Sequence, residues 1–447
     1  MTFCDDYRQY FTAARHNLCA KARCYVAGLL MQAPRKNLER MEEYVAESEY
    51  QAQQQFLSDS PWDHAALTVR VGRDVDAVVG GPASALLVDE SAFAKKGRAS
   101  VGVARQWNGR QGKVDNCQVG VFAGLTDGVR CGLVDFRLYL PESWTDDPPR
   151  CAAAKMPAEE CRYRSKPELA LEMVEAAVAH GLRFGWVDVD SGYGSNPAFV
   201  RGLEARGLEF VADVHRDQRL YPTDPQPYLP RRTRPQGRKF SRLRSRVTGV
   251  EIGAFFADLP ARSWHWVTVR DSTQGPLRVQ AVRRQVWLWD GAEPVAHRWW
   301  AVCIRLPATG ETKWFLCHTT QTITLTQLVR RHALRFWIER TFQDAKTSVG
   351  MADYQVRGWV AWHHHMALVL LALLFLLRER KLHCKTLELL SCQDIVELLN
   401  HYLPRADATE AAVLRNLERR HRKRRLAIDA ARRRASTGHG PRFDVTK

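Results

Sequence analysis

A chain of 447 residues with 45% apolar side chains can bury a sizeable core and hold two or three domains, which excludes a small peptide module and a disordered polymer. Its 66 Lys and Arg against 49 Asp and Glu give a formal charge of +17, which points to a polyanionic partner, nucleic acid before an anionic membrane surface. Eleven scattered cysteines, with no CxxC pair and an odd total, argue against a disulfide framework and for a reducing, intracellular setting.

The opening residues MTFCDDYRQYFTAARHNL carry acids and no apolar run, so no secretory signal is expected in them. Residues 1–75 are predicted helical, from apolar residues at three- and four-residue intervals and an absence of Pro inside the runs. Cys19 and Cys24 are expected to pack there. The segment 58–64, SDSPWDH, ends the pattern with turn chemistry.

The period then changes. ASALLVD (83–89), NCQVGVFAGL (116–125) and CGLVDFRLYLP (131–141) read as three strands, with Asp127-Gly128 as a hairpin turn between the last two. KPELALEMVEAAVAHG (166–181) is an amphipathic helix stopped at Gly181, and FGWVDVD (184–190) a fourth strand. NPAFVRGLEARG (196–207) is a helix capped by Asn196 with Pro197 in its first turn, and LEFVADV (208–214) a fifth strand.

From 215 to 323 the rhythm is lost. Residues 231–246 hold eight Lys or Arg and no acid, and the strand-like runs that follow are rich in tryptophan. Residues 325–350 are expected to form one long helix. Further helices follow, including the apolar run Met366–Leu377, too short to span a bilayer and read as a buried helix. His363, His364 and His365 cannot share one helix face, so polar capping of that helix is expected of them rather than metal binding. Ten of the twenty residues 415–434 are Lys or Arg.

Asp89 and Asp190 both end candidate strands. Carboxylates presented from neighbouring strand ends can share hard cations such as Mg²⁺, although either one alone reads more simply as a turn residue. On the 325–350 helix, His332, Arg335, Glu339 and Lys346 fall at offsets 0, 3, 7 and 14, so one face offers a carboxylate flanked by cations. That suits a metal ligand beside a held phosphate, and equally a solvated, salt-bridged face.

At these residues the chain resembles the IS701-type transposases of the IS4-like DDE transposase group, DDE superfamily endonucleases. The similar blocks are VDESAFAKKGRASVGVARQWNGRQGKVDNCQVGVF (88–122), VDVDSGYG (187–194), the stretch 336–376 beginning FWIERTFQDAK, and YVAGLLMQAPRKNLERM (25–41). The resemblance implies a catalytic triad of Asp89, Asp190 and Glu339 that binds Mg²⁺, with Mn²⁺ able to substitute. Asp190 occupies the Asp-x-x-Tyr-Gly position; Asp188, on the same strand face, is its rival. The group's Tyr-x2-Arg-x3-Glu-x6-Lys block is His332, Arg335, Glu339 and Lys346 here, with His in place of Tyr. These flanking residues, with Lys95, Lys96, Arg98 and Arg105, are the expected DNA contacts.

The implied fold is α/β: a ribonuclease H-like catalytic core with a β-rich insertion, plus an α-helical N-terminal domain and a basic helical C-terminal region. The expected bounds are 1–75 for the N-terminal DNA-binding domain, 80–214 and 324–380 for the core, 215–323 for the insertion and 381–447 for the basic tail. Tryptophans of the insertion (Trp264, Trp266, Trp299, Trp300) are candidates to stack on an unpaired base, with core packing as the simpler role. The implied activity is binding of terminal inverted repeats in double-stranded DNA, two-metal cleavage, and joining of the 3′-hydroxyl ends to target DNA. A dimer on DNA, no membrane, and a bacterial cytoplasmic, nucleoid-associated location go with it. A catalytically inactive or domesticated DNA-binding relative is the alternative, and a membrane-surface protein using the same basic patches a further one.

Overall fold

Runs of β-branched and apolar residues between turns build one large sheet. The computed structural model describes residues 2–13, 16–109, 111–231, 240–272, 275–307, 309–406 and 409–436. Its principal strands are β1 (Ala85–Ala94), β2 (Ala104–Asn108), β3 (Lys113–Thr126), β4 (Cys131–Leu138), β5 (Trp186–Val189), β6 (Phe210–Val214), β7 (His265–Ser272), β8 (Gly275–Leu288), β9 (His297–Leu306) and β10 (Glu311–His318). They lie in the order β7-β8-β9-β10-β6-β5-β1-β3-β2, with β4 also paired to β3. β5 runs parallel to both β1 and β6, and the other pairs are antiparallel. The protein is thus a mixed α/β fold. Four long strands of the 215–323 region, β7 to β10, extend the central sheet because β10 pairs with β6, while the short strands Arg219–Leu220 and Val250–Glu251 pair only with each other.

Eight helices cover the sheet or brace the site: α1 (Cys19–Leu30), α2 (His64–Val79), α3 (Lys166–Ala179), α4 (Pro197–Ala205), α5 (Leu325–Ala333), α6 (Phe336–Ser348), α7 (Trp359–His383) and α8 (Glu410–Ser436). α3 joins β4 to β5 and starts with a reciprocal Ser165/Glu168 capping box. α4 joins β5 to β6; Asn196 caps it by accepting from the Phe199 N–H, and Pro197 sits where no N–H is needed.

The long helix expected over 325–350 is two helices. At Leu334 and Arg335 the bonding tightens, with the Trp337 N–H bonded to the Leu334 carbonyl and the Ile338 N–H to that of Arg335. The cause is lateral: His332 and Arg335 both reach toward a single carboxylate, Asp213 on β6, and the turn between α5 and α6 lets both arrive.

α7 is buried nearly all round and long and apolar enough to span a membrane, but it lies inside the protein. Its three histidines do not cap it. They point to three different neighbours: His363 Nδ1 meets the Trp359 carbonyl at 2.9 Å, His364 Nδ1 the Leu57 carbonyl at 2.8 Å, and His365 Nδ1 the Tyr25 hydroxyl at 2.8 Å. The N-terminal helices therefore wrap a helix that also backs the sheet, and one apolar core runs from Cys4 to Leu403.

Candidate active site

Strand register assembles the site. Val88 of β1 pairs with Val189 of β5, and Val189 with Ala212 of β6. One rung further stand Asp89, Asp190 and Asp213, on neighbouring parallel strands and so on one face, at a strand spacing of about 4.8 Å. The row is flanked by Phe122, paired with Asp89, and Phe315, paired with Asp213. Phe122 meets Phe342 of α6 edge-on at 5.5 Å, and Phe315 stacks on His332 of α5 at 4.4 Å, so both helices lie over this face.

The Asp-x-x-Tyr-Gly block has a local reason. Asp190 caps a one-turn helix by accepting from the N–H groups of Gly192 and Tyr193. Tyr193 is buried. Gly194 passes so close to β6 that an added Cβ would stand 2.1 Å from the Asp213 carbonyl oxygen, so only glycine fits.

Arg335 links the acids. Its Nε is 3.4 Å from Asp213, one terminal nitrogen 4.0 Å from Asp89, and the other 3.5 Å from Glu339. Glu339 is 57% exposed at its side chain whereas Asp89 is 14% exposed, so Glu339 is the acid with freedom to turn. Burial, and then the charge of Asp190, push the Asp89 carboxyl up to about 7. Asp188, two rungs deeper on β5, is fully buried with neither carboxylate oxygen bonded, and burial followed by the Asp213 charge raises it well above the ordinary range. Burial also opposes ionisation of Asp213, but the charge and hydrogen bond of His332 and the charge of Arg335 outweigh it and hold that carboxyl low.

Among the described residues no three His, Cys, Asp or Glu side chains are close enough to hold one ion between them. Asp89, Asp190 and Glu339 nevertheless supply only oxygens, two of them on one rung, and an oxygen-only set suits a hard divalent cation. The guanidinium of Arg335 stands between Asp89 and Glu339, where a cation would draw the two together.

The expected DNA contacts fall into two groups. Arg335 and His332 border the acid row, and Lys346 lies further along α6 with its ammonium 5.9 Å from the ring centres of both Phe93 and Phe342. His332, however, is turned inward: it is 8% exposed and bonded through Nε2 to Asp213 at 2.6 Å. Lys96, Arg98 and Arg105 are exposed on the β1–β2 segment. Lys95 is half-buried, its ammonium 3.4 Å from the ring centre of Tyr354, and burial lowers its pKa to about 8. Of the four tryptophans singled out, Trp299 is buried and bonded to Glu204, Trp300 and Trp264 lie under Arg283 and Arg305, and Trp266 is 53% exposed. Residues 232–239 of the basic segment lie outside the described residues. The basic tail is helical to Ser436 and docks by Arg419 and Arg420 on Glu42 and Glu43.

Sequence reasoning missed Asp213. Its signal was present, an acid near the end of an apolar run as at Asp89 and Asp190, but its meaning depends on the β5–β6 register.

An acid row across the middle of β1 and the ends of β5 and β6, faced by a helix bearing a further acid, is an oxygen-rich arrangement suited to hard divalent cations. Residues 6–276 match the DDE superfamily endonuclease family, and the chain belongs to it. It is 25% identical over 367 residues, 79% of this chain and 82% of the relative, to a probable transposase for insertion sequence element IS701 from Microchaete diplosiphon. A solved piggyBac transposase synaptic complex with hairpin DNA is similar over 100% of this chain and 81% of that one, at 12% identity and a TM-score of 0.42.

Proposed function

We propose that this protein is a DNA transposase that cuts the ends of its own element and joins them to target DNA through Asp89, Asp190 and Glu339 on a ribonuclease H-like core. The single observation that carries the reading is the shared rung of Asp89 and Asp190, with Glu339 tied to Asp89 through Arg335. The strand order β4-β3-β1-β5-β6, with the β1–β5 and β5–β6 pairs parallel, supports the core assignment.

Two divalent ions, Mg²⁺ or Mn²⁺, supply the activation of the attacking oxygen and the stabilisation of the leaving one when bound. Asp89 and Asp190 would hold the metals from the sheet side, and Glu339 from the helix side after its side chain turns inward. Asp89, its carboxyl pushed up to about 7, would give up its proton in holding an ion, which would couple metal binding to pH. Arg335, released from Asp89 and Glu339, and Lys346 would take adjacent phosphates of the DNA. Lys95, Lys96, Arg98 and Arg105 would extend that contact along the duplex, and the basic tail would add sequence-independent phosphate contacts. Synapsis of two ends calls for a dimer on DNA, in the bacterial cytoplasm where the nucleoid lies.

The test is cleavage of the DNA flanking this gene by the purified chain in Mg²⁺, Mn²⁺ and Ca²⁺. Metal-dependent nicking by the wild type, abolished in Glu339→Gln, is expected. DNA binding without cleavage in any of these ions would leave an inactive DNA-binding relative in its place.

A further inference from the structure

We propose that Asp213 is a positioning residue for strand cleavage: it anchors the guanidinium of Arg335 so that its two terminal nitrogens stand beside Asp89 and Glu339. This rests on the function proposed above and adds a residue to it.

Three nitrogens of one side chain face three carboxylates. The inner nitrogen, Nε, faces Asp213 at 3.4 Å, and the outer pair face Asp89 at 4.0 Å and Glu339 at 3.5 Å. Asp213 is itself over-determined. Its strand fixes it on the rung of the metal-binding acids, its other oxygen bonds His332 Nε2 at 2.6 Å, and His332 is clamped by its stack on Phe315. Its carbonyl is packed against Gly194, at the end of the turn that Asp190 caps. The carboxylate therefore cannot follow Arg335 if the arginine moves; the arginine must pivot on it.

A pivot matters because metal loading reverses the local electrostatics. The fork of Arg335 balances the charges of Asp89 and Glu339. Were those acids to hold divalent ions, like charge would push the fork away from them. An arginine free at every nitrogen would swing into solvent. One held at Nε keeps its planar fork at the rim of the site, where a scissile-strand phosphate arrives, and the orientation is set before the DNA binds. Asp213 thus acts on the reaction through Arg335 without touching substrate or metal.

The experiment is a kinetic double-mutant cycle on the full-length chain, with duplex DNA from the flanking ends and saturating Mg²⁺. Asp213→Asn is expected to lower kcat by about 10–100-fold, the usual scale for removing a supporting partner, with KM for DNA little changed. The double variant Asp213→Asn/Arg335→Lys is expected to be no slower than Arg335→Lys alone, because both changes remove one device. Wild-type kcat in Asp213→Asn, or losses that multiply in the double variant, overturns the proposal. Should the asparagine variant fail to fold, Asp213→Glu, which keeps the charge and shifts it by one methylene, runs the same cycle with the same two readings. A wild type that cuts with no divalent ion removes the proposed function itself; a wild type that cuts beside an equally fast Asp213 variant removes only this inference.

Discussion

Lys36 donates from its ammonium to the carbonyl of Ser348, the last residue of α6, and to that of Leu29 near the end of α1, at 2.8 Å for the latter. One buried cation thus closes two helix ends, and it joins the N-terminal helices to the helix that carries Glu339. Gly350 turns the chain away at φ +66°, where an added Cβ would stand 2.5 Å from the Lys36 Cβ.

Lys36→Met should leave two helix-end carbonyls unpaired in a buried place, a loss of about 2 kcal/mol or more. Burial lowers the Lys36 pKa to about 8, against the opposing charge of Asp353. The unfolded chain, with its lysine near pKa ~10.4, binds the extra proton between those values, so the wild type gains stability as pH rises through this window and loses it as pH falls through about 8. Urea unfolding at pH 7.5 and pH 10 should show the gap between wild type and variant widening at the higher pH. A gap independent of pH would remove the buried-cation assignment.

His365 accepts from the Tyr25 hydroxyl at Nδ1, because its other nitrogen, Nε2, faces a carbonyl, that of Met351 at 3.2 Å, and must carry the proton. Burial pushes its pKa down to about 3. The folded value lies below the unfolded ~6.5, so its contribution is complete above that value and is lost as pH falls toward 3. His365→Phe should therefore cost about 2 kcal/mol at pH 7.5 through two lost hydrogen bonds, yet lose less on acidification than the wild type. Denaturant midpoints at pH 7.5 and 4.5 decide it: parallel losses would show that the imidazole is not held neutral.

Asp89 has the opposite sign. Its folded pKa of about 7 lies above the unfolded ~3.9, so in metal-free protein its contribution is complete below that lower value and is lost as pH rises through 7. Asp89→Asn should then be more stable than the wild type at pH 8 without metal, by on the order of 2–4 kcal/mol, with no advantage at pH 4. Because an ion must displace the proton, Mg²⁺ binding to the wild type should weaken by up to about tenfold per pH unit below 7. Calorimetric titrations at pH 6, 7 and 8 test this, and equal affinity at pH 6 and 8 would remove Asp89 from the metal site.

Asp190 is legible in the sequence because it closes an apolar run and opens a turn, whereas Asp89, expected to end its strand, lies in the middle of β1, which stays paired with β3 as far as Ala94. The helix break at Leu334 is not legible. Two helices joined by one tight turn keep nearly the apolar phase of a single helix, and the cause of the break, Asp213, lies over a hundred residues away. Asp213 was illegible for a related reason: an acid on a strand acquires a role only from the residues on its rung, and register across separate strands is a tertiary fact. The same holds for 215–323. Its alternating strands fit a sheet of their own as well as an extension of the core, and only the pairing of β10 with β6 decides between them. The composition of 415–434 announces a polyanion-seeking segment but not the two acids, Glu42 and Glu43, that give it a seat.

That seat leads to a prediction about DNA. Glu42 and Glu43 engage Arg419 at 2.6 Å and Arg420 at 3.0 Å, and Lys423 stands 3.9 Å from Glu42. Arg415, Arg422, Arg424, Arg425 and Arg432 remain exposed along the helix. The acids therefore hold the helix by part of its charge. Truncation before α8 should lower the salt dependence of duplex binding, by a slope of about 0.9 for each phosphate that the helix neutralises, with little change in sequence preference. Glu42→Gln/Glu43→Gln keeps every cation but loosens the seat, so it should weaken binding less than truncation while leaving the slope near that of the wild type. Fluorescence anisotropy across a salt series separates the cases. An unchanged slope after truncation would mean that the helix does not touch DNA, and its cations would then serve only to dock it on the N-terminal helices.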